Sequence, residues 1–240
     1  MVYDWKAALA FFAALVVLTT VGRRLVFLVP AYQEMQRLNR EADRTKLARP
    51  RFKKSVKASN QAGLYTNLAF YATVLPFSIS LESRPFWQYI FHIVAVLMVF
   101  DFFYYLTHRF LFHGRALRKV HSLHHQALKP TYIDALYVHP LETFIGLALF
   151  LFSIPLVAFA VGAPLNAFSM AVATLIFTQI NTLNHTYVNL PRFPFKTVDW
   201  ITSIHAAHHV NMNCGNFATL TMLYDWLFGT LEKPVSRPNP

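Results

Sequence analysis

Eleven histidines occur in the 240 residues, and ten of them fall in two short segments. The first segment carries His108, His113, His121, His124, His125 and His139; the second carries His185, His205, His208 and His209. His121, His124 and His125 stand at i, i+3 and i+4, and His205, His208 and His209 repeat that spacing. On a helix these positions share a face, so each triplet aims three imidazoles at one small volume. Adjacent residues such as His124 and His125 differ by about 100° around the axis and suit two neighbouring metals better than one. His108 and His113, five apart, share a face poorly. They read as ligands of different metals, or as marking a helix end where the geometry relaxes.

Imidazole suits zinc, copper, iron and nickel. Nine or ten imidazoles exceed the needs of one ion and fit a pair. A ferritin-like centre would need several Glu ligands on bundle helices, and only 11 Asp and Glu occur in the whole chain. The expected centre is therefore ligated by histidine. Asp101, Asp134, Glu142, Asp199 and Asp225 are candidates to accept the second ring N–H of a ligating imidazole. His139 lies off the triplet pattern, before Pro140, and is kept as a further candidate ligand. His92 stands inside an apolar stretch and reads as a packed core residue. No H-E-x-x-H occurs, which argues against a zinc protease of that type. Cys214 is the only cysteine, which excludes an intramolecular disulfide and a Cys-rich zinc or iron–sulfur site.

The elements that must position these histidines are apolar. The chain is 55% hydrophobic and 16% aromatic, with only 14% charged residues and 23 Phe. Soluble domains carry roughly 25% charged residues, so a multi-span membrane protein is expected. Apolar stretches cover residues 7–21, 62–79, 86–106, 144–161 and 165–180. The first, ending in Gly-Arg-Arg with no small-x-small pattern, reads as a span and not as a signal peptide. Residues 37–57 hold nine basic residues against Glu41 and Asp43 and read as a cytoplasmic connector resting on anionic lipid. The net charge of +11 is explained by such topology and not by nucleic-acid binding. With that linker inside, short outer loops near residues 82–84 and 162–164 place both histidine segments on the cytoplasmic face. A metal transporter or sensor is the alternative of another class. It would need ligands at mid-membrane along a path, whereas these cluster at one face.

The motifs together resemble the fatty acid hydroxylase and sterol desaturase superfamily. Asp101-Phe-Phe-Tyr-Tyr precedes His108-Arg109, and H-x4-H is followed by H-x2-H-H at His121–His125 and again at His205–His209. His139-Pro-Leu-Glu142 is similar to that family's H-P-x-E. Asn213-Cys-Gly-Asn216-Phe and Tyr224-Asp225-Trp-Leu-Phe-Gly-Thr230 are similar to its ending, with Tyr in place of Trp before Asp225. The resemblance covers residues 94–230. It implies two iron ions, oxygen as co-substrate and a membrane lipid as substrate. It also implies His185 as a ninth ligand, with Asn181 reaching metal through water.

The expected fold is an all-α integral membrane bundle. It has about four core transmembrane helices, one N-terminal span and a cytoplasmic helical cap that carries the histidine boxes. Residues 1–60 form the N-terminal span and basic linker, residues 61–230 the catalytic domain, and residues 231–240 a short tail. The expected activity is hydroxylation of a C–H bond in a fatty-acyl, sterol or related lipid, with desaturation at the same centre as the alternative. The chain has no room for a fused cytochrome b5 domain. Electrons are therefore expected from a separate donor resembling cytochrome b5, a ferredoxin or a reductase.

Overall fold

The structure is a computed structural model and describes residues 2–235. Three helices are long and apolar enough to cross a membrane: α1 (Trp5–Val26), α5 (Phe86–Leu106) with its extension to Phe112, and α7 (Pro140–Ala160). Two more complete the bundle, α3 (Pro50–Thr73) and α8 (Ala167–His185). These last two are less apolar for opposite reasons. The helix α3 begins in the basic linker and runs unbroken through residue 60, and the last two turns of α8 carry Asn181, Asn184 and His185. The helices pack α1 on α8, α3 on α7, and α5 between α7 and α8.

Aromatic contacts fill the middle of the bundle. Phe150 stacks on Phe177 with ring centroids 4.0 Å apart, and Phe100 meets Phe177 edge-on at 4.9 Å. In lipid such contacts hold helices together by close packing, because the hydrophobic effect does not separate helix from tail. The outer surface is apolar as well: Leu9, Val16, Phe152 and Phe159 are exposed. Such a belt is costly in water and natural in a bilayer. The structure is all-α apart from one parallel pair among the described residues, β1 (Ile79–Ser80) with β2 (Leu165–Asn166). It follows the four-residue α4 (Leu75–Ser78) and ties the two expected outer loops together. Arg84 donates to the Pro164 carbonyl at 3.2 Å and Asn166 to the Glu82 carbonyl at 3.0 Å.

The basic linker differs from a free connector. Residues Pro30–Leu47 form α2, and Met35, Asn39 and Asp43 are buried along one face. Asn39 accepts from the Tyr187 N–H at 2.9 Å and donates to its carbonyl at 2.8 Å. Asp43 accepts from Thr131 at 2.8 Å, and Lys46 donates to Lys129, Thr131 and Asp134. The linker is thus strapped across the segment 129–134 while Arg37, Arg40 and Arg44 stay exposed. The expected tail is also anchored over its described part, since Glu232 bonds the loop at Gly215 and Asn216; residues 236–240 lie outside the described residues.

Candidate metal centre

At one end of the bundle nine histidines converge in two groups. His108, His113, His121, His125 and His208 form one, and His124, His185, His205 and His209 the other; within each group the ligand atoms lie within 4.8 Å of one another. The two groups adjoin: the rings of His125 and His209 have centroids 5.2 Å apart. Adjacent residues part between the two groups. His121 and His125 serve the first group while His124 turns to the second; His205 and His209 serve the second while His208 turns to the first.

Two local structures depart from the expected helices. His108 and His113 belong to the same group, because Thr107–Phe112 is a π-helix closed by His113 N–H donating to the His108 carbonyl at 2.9 Å. An i→i+5 turn brings residues five apart onto one face, and such turns concentrate at functional sites. Gly114 follows at once, and a Cβ there would lie 1.9 Å from the Phe110 carbonyl oxygen. The triplet at 121–125 is not one regular helix: α6 (Arg118–His121) ends at His121, and His124–Gln126 is a 3-10 turn. The later triplet does ride on a helix, α9 (Lys196–His208).

The outer ring nitrogens are held by carbonyls of one loop. His108 Nδ1 donates to the Phe217 carbonyl at 2.7 Å, His113 Nδ1 to Met212 at 2.8 Å, and His208 Nδ1 to Gly215 at 2.6 Å. His185 Nδ1 donates to Asn181 at 2.9 Å within α8. With the proton fixed on Nδ1, each Nε2 presents a bare lone pair to the centre. Yet His113 and His208 set their Nε2 atoms 3.2 Å apart, and His185 and His205 theirs 3.0 Å apart. Burial pushes His113, His208 and His209 below the usual imidazole value and His125 down to about 3. Burial thus disfavours a proton shared between His113 and His208. Two nitrogens bound side by side to one metal at about 2.1 Å are about 3 Å apart, so the donor set fits a cation in each group.

The loop is itself built for this task. Asp225 accepts from Phe217 and Ala218 N–H at 2.8 and 2.7 Å, and Asp101 from Thr219, Leu220 and Thr221 N–H at 2.9 to 3.1 Å. Neither carboxylate meets an imidazole, contrary to expectation. A buried carboxylate is better satisfied by several backbone donors than by one ring N–H, so both brace the loop at residues 217–221. Gly215 is forced by close approach, as a Cβ there would stand 2.0 Å from the Thr230 carbonyl oxygen. Of the other carboxylates, Asp134 caps the turn at Thr131 and Asp199 accepts from Leu190 N–H at 3.3 Å. His139 stands outside both groups and caps α7, accepting from Leu141 N–H at 3.2 Å. His92 lies buried in α5, away from both groups.

A profile of the fatty acid hydroxylase family matches residues 93–230, more than half of the chain. The chain belongs to the fatty acid hydroxylase family. Methylsterol monooxygenase 1 of Gallus gallus is 32% identical over 134 residues, 54% of this chain and 42% of that protein. Ornithine lipid hydroxylase OlsE of Rhizobium tropici is 28% identical over 157 residues, 64% of this chain and 45% of its own. Very-long-chain aldehyde decarbonylase GL1-5 of Oryza sativa subsp. indica is 27% identical over 140 residues, 55% of this chain and 22% of its own. The chain thus spans half or less of the length of these relatives. No solved structure matches it.

In this fatty acid hydroxylase family member one carboxylate does meet a histidine. Glu142, buried in the first turn of α7, sets Oε1 2.8 Å from His121 Nδ1. Loss of such a partner typically costs 10–100-fold in metal affinity or activity. Glu142→Ala is expected to weaken metal binding by roughly that factor, whereas Glu142→Gln keeps an accepting oxygen and most of the affinity. Equal losses in the two variants, measured by competition with a chelator, would show that the oxygen has no such role.

The same Glu142 lines a cavity of about 390 Å³ that is also floored by His124 and His185 and walled by α3, α5, α7 and α8. Among the histidines, only these two of the second group line it. Exposed Leu64 and Asn60 stand at its edge on α3.

Proposed function

We propose that this chain is a multi-pass membrane hydroxylase of lipids. Its two histidine groups would hold two iron ions, His108, His113, His121, His125 and His208 one, and His124, His185, His205 and His209 the other. The observation that carries this reading is the cavity between α3, α5, α7 and α8 whose lining includes His124, His185 and Glu142. When bound, the metal pair supplies the redox chemistry that lets dioxygen oxidise an unactivated C–H bond. The stoichiometry is one dioxygen and two electrons with two protons per hydroxylation. One oxygen atom goes to the lipid and the other to water, and a separate donor protein supplies the electrons.

The residues then have distinct tasks. Phe100, Phe177 and Leu147 wall the cavity and keep water from the reacting carbon. The backbone carbonyls of Met212, Gly215 and Phe217 fix three imidazole tautomers, and Glu142 would fix His121. Asn181, beside His185 on the cavity wall, is positioned to reach a metal through water. Iron and a lipid substrate are supported by the family motifs, and the basic linker supports a cytoplasmic position for both histidine segments.

The test compares lipids from cells with and without the gene, grown under isotopically labelled dioxygen. One labelled oxygen is expected in a lipid that only expressing cells contain. A lipid lacking a pair of hydrogens and any label would mean desaturation. No lipid difference in iron-replete cells with an intact donor would sink the proposal.

A further inference from the structure

The cavity wall contains a polar group that the metal chemistry does not use. Asn67 lies in the apolar half of α3 and lines the cavity. Its Oδ1 is shut off from solvent and has no hydrogen-bond partner. A polar side chain at membrane depth is expensive to keep unsatisfied and marks a functional position by default. The other unpartnered buried atoms of the lining, Glu142 Oε2 and His124 Nδ1, belong to the histidine end of the cavity, whereas two neutral polar neighbours of Asn67 are satisfied within the protein. Ser59, on the same face of α3, bonds Thr143 at 2.7 Å, and Thr178 bonds the Thr174 carbonyl of its own helix at 2.9 Å. Gly63, between Ser59 and Asn67 on that face, lies against Thr143, with 3.6 Å left for a Cβ. The stripe Ser59, Gly63 and Asn67 therefore runs from the α3–α7 contact into the cavity.

We infer that Asn67 anchors a hydroxyl group carried by the lipid substrate, remote from the carbon that is oxidised. This rests on the reading of the chain as a lipid hydroxylase. A hydroxyl donates, so it can satisfy the unpartnered Oδ1. The distance follows from the helix. Ser59 meets Thr143, the residue next to Glu142, and so marks the metal end of the cavity. Asn67 is eight residues further along α3, about 12 Å at 1.5 Å per residue. A substrate presenting a carbon to His124 and His185 would place the anchored hydroxyl about two helical turns away. The favoured substrate class is a lipid already hydroxylated at a distant position. An unsubstituted hydrocarbon chain would leave Asn67 Oδ1 unsatisfied and bind less well.

The test uses zinc-loaded full-length protein in detergent, where no turnover occurs. Dodecanol and dodecane, matched in chain length, are titrated against thermal stability, since a ligand that binds only the folded state raises the melting temperature. Wild-type protein is expected to bind dodecanol about tenfold more tightly than dodecane, the effect of one hydrogen bond to an otherwise unsatisfied group. Asn67→Leu is expected to bind both equally and to melt no lower than wild type without ligand, because an unsatisfied amide has been removed. Equal affinities in wild type would overturn the inference. So would a preference that survives in Asn67→Leu, or a large loss of stability in that variant, which would reveal a structural partner for the amide. These outcomes are separate from the fate of the lipid hydroxylase reading. Lipid oxidation that persists beside equal affinities removes the anchor alone, while absent oxidation beside a preserved dodecanol preference removes the reaction and leaves the binding site.

Discussion

Wild-type protein purified anaerobically from iron-replete cells is expected to carry two metal ions per chain, and His124→Ala close to one. His124 belongs to the four-member group, so its loss leaves three nitrogens there and all five in the neighbouring group. Losing a ligand costs more than losing the partner that orients one, which already costs 10–100-fold. The depleted position should therefore empty on dilution or mild chelation while the other stays filled. His208→Ala leaves four of five nitrogens in the first group and should lose metal more slowly. Both variants should abolish lipid oxidation, because the proposed reaction needs the pair. His92→Ala and His139→Ala should keep two metals, since neither side chain points into a group. Zinc replacing iron after overexpression would not change the count, as it binds the same nitrogens and ranks higher in affinity. Elemental analysis decides the matter. A well-folded wild-type preparation with at most one metal, or His139→Ala stripped as thoroughly as His124→Ala, would refute the two-site arrangement.

The partition of the histidines was partly legible. The 100° step expected between adjacent helical residues already sends His124 and His125 to different groups, and His208 and His209 likewise. What sequence hid was the backbone between them. A π-turn has no compositional signature, so five-residue spacing looked unfavourable for His108 and His113. The turn is fixed by carbonyls at Phe217 and Met212, about a hundred residues away. The role of the Asn213-Cys-Gly-Asn216-Phe motif was invisible for the same reason. What it gives the histidines is the backbone oxygens of Gly215 and Phe217, which side-chain identity does not reveal, although the glycine hints at close approach. Asp101 and Asp225 were legible as important and misassigned in contact. Their distance from any imidazole depends on how a loop at 216–221 folds back over α5. In the basic linker, charge excess masked the pattern that mattered. Met35, Asn39 and Asp43 recur at i, i+4 and i+8, a helical face whose partners at Thr131 and Tyr187 only the fold brings near. The orphan amide of Asn67 could have been flagged as a polar residue within an apolar stretch, but not its place on the cavity.

Both histidine segments are expected to face the cytoplasm, and thiol labelling should divide sharply on that point. Nine basic residues against two acidic ones lie in residues 37–57, and Lys/Arg bias in short loops sets orientation. The strapping of α2 across residues 129–134 adds a constraint that charge counting lacks. The basic helix and the segment just after the first histidine triplet touch, so they share one side of the bilayer. At the other end of the bundle Arg84 and Asn166 join the loops at residues 82–84 and 162–166, so the expected topology puts both on the opposite side. Arg84 is a basic residue on that outer side, but it is paired with Glu82 at 2.9 Å and leaves little net bias. Single cysteines are placed at exposed positions in a Cys214→Ser background, since Cys214 is the only native thiol. Lys53→Cys on α3 and Thr197→Cys on α9 are expected to resist a membrane-impermeant thiol reagent in intact cells and to react fully after permeabilisation. Ser83→Cys is expected to react at once. Reaction of Thr197→Cys but not Lys53→Cys in intact cells would place the second histidine segment across the membrane from α2. That is incompatible with Asn39 on α2 bonding the backbone of Tyr187, two residues beyond His185. Such a result would therefore overturn the single-ended metal centre along with the orientation.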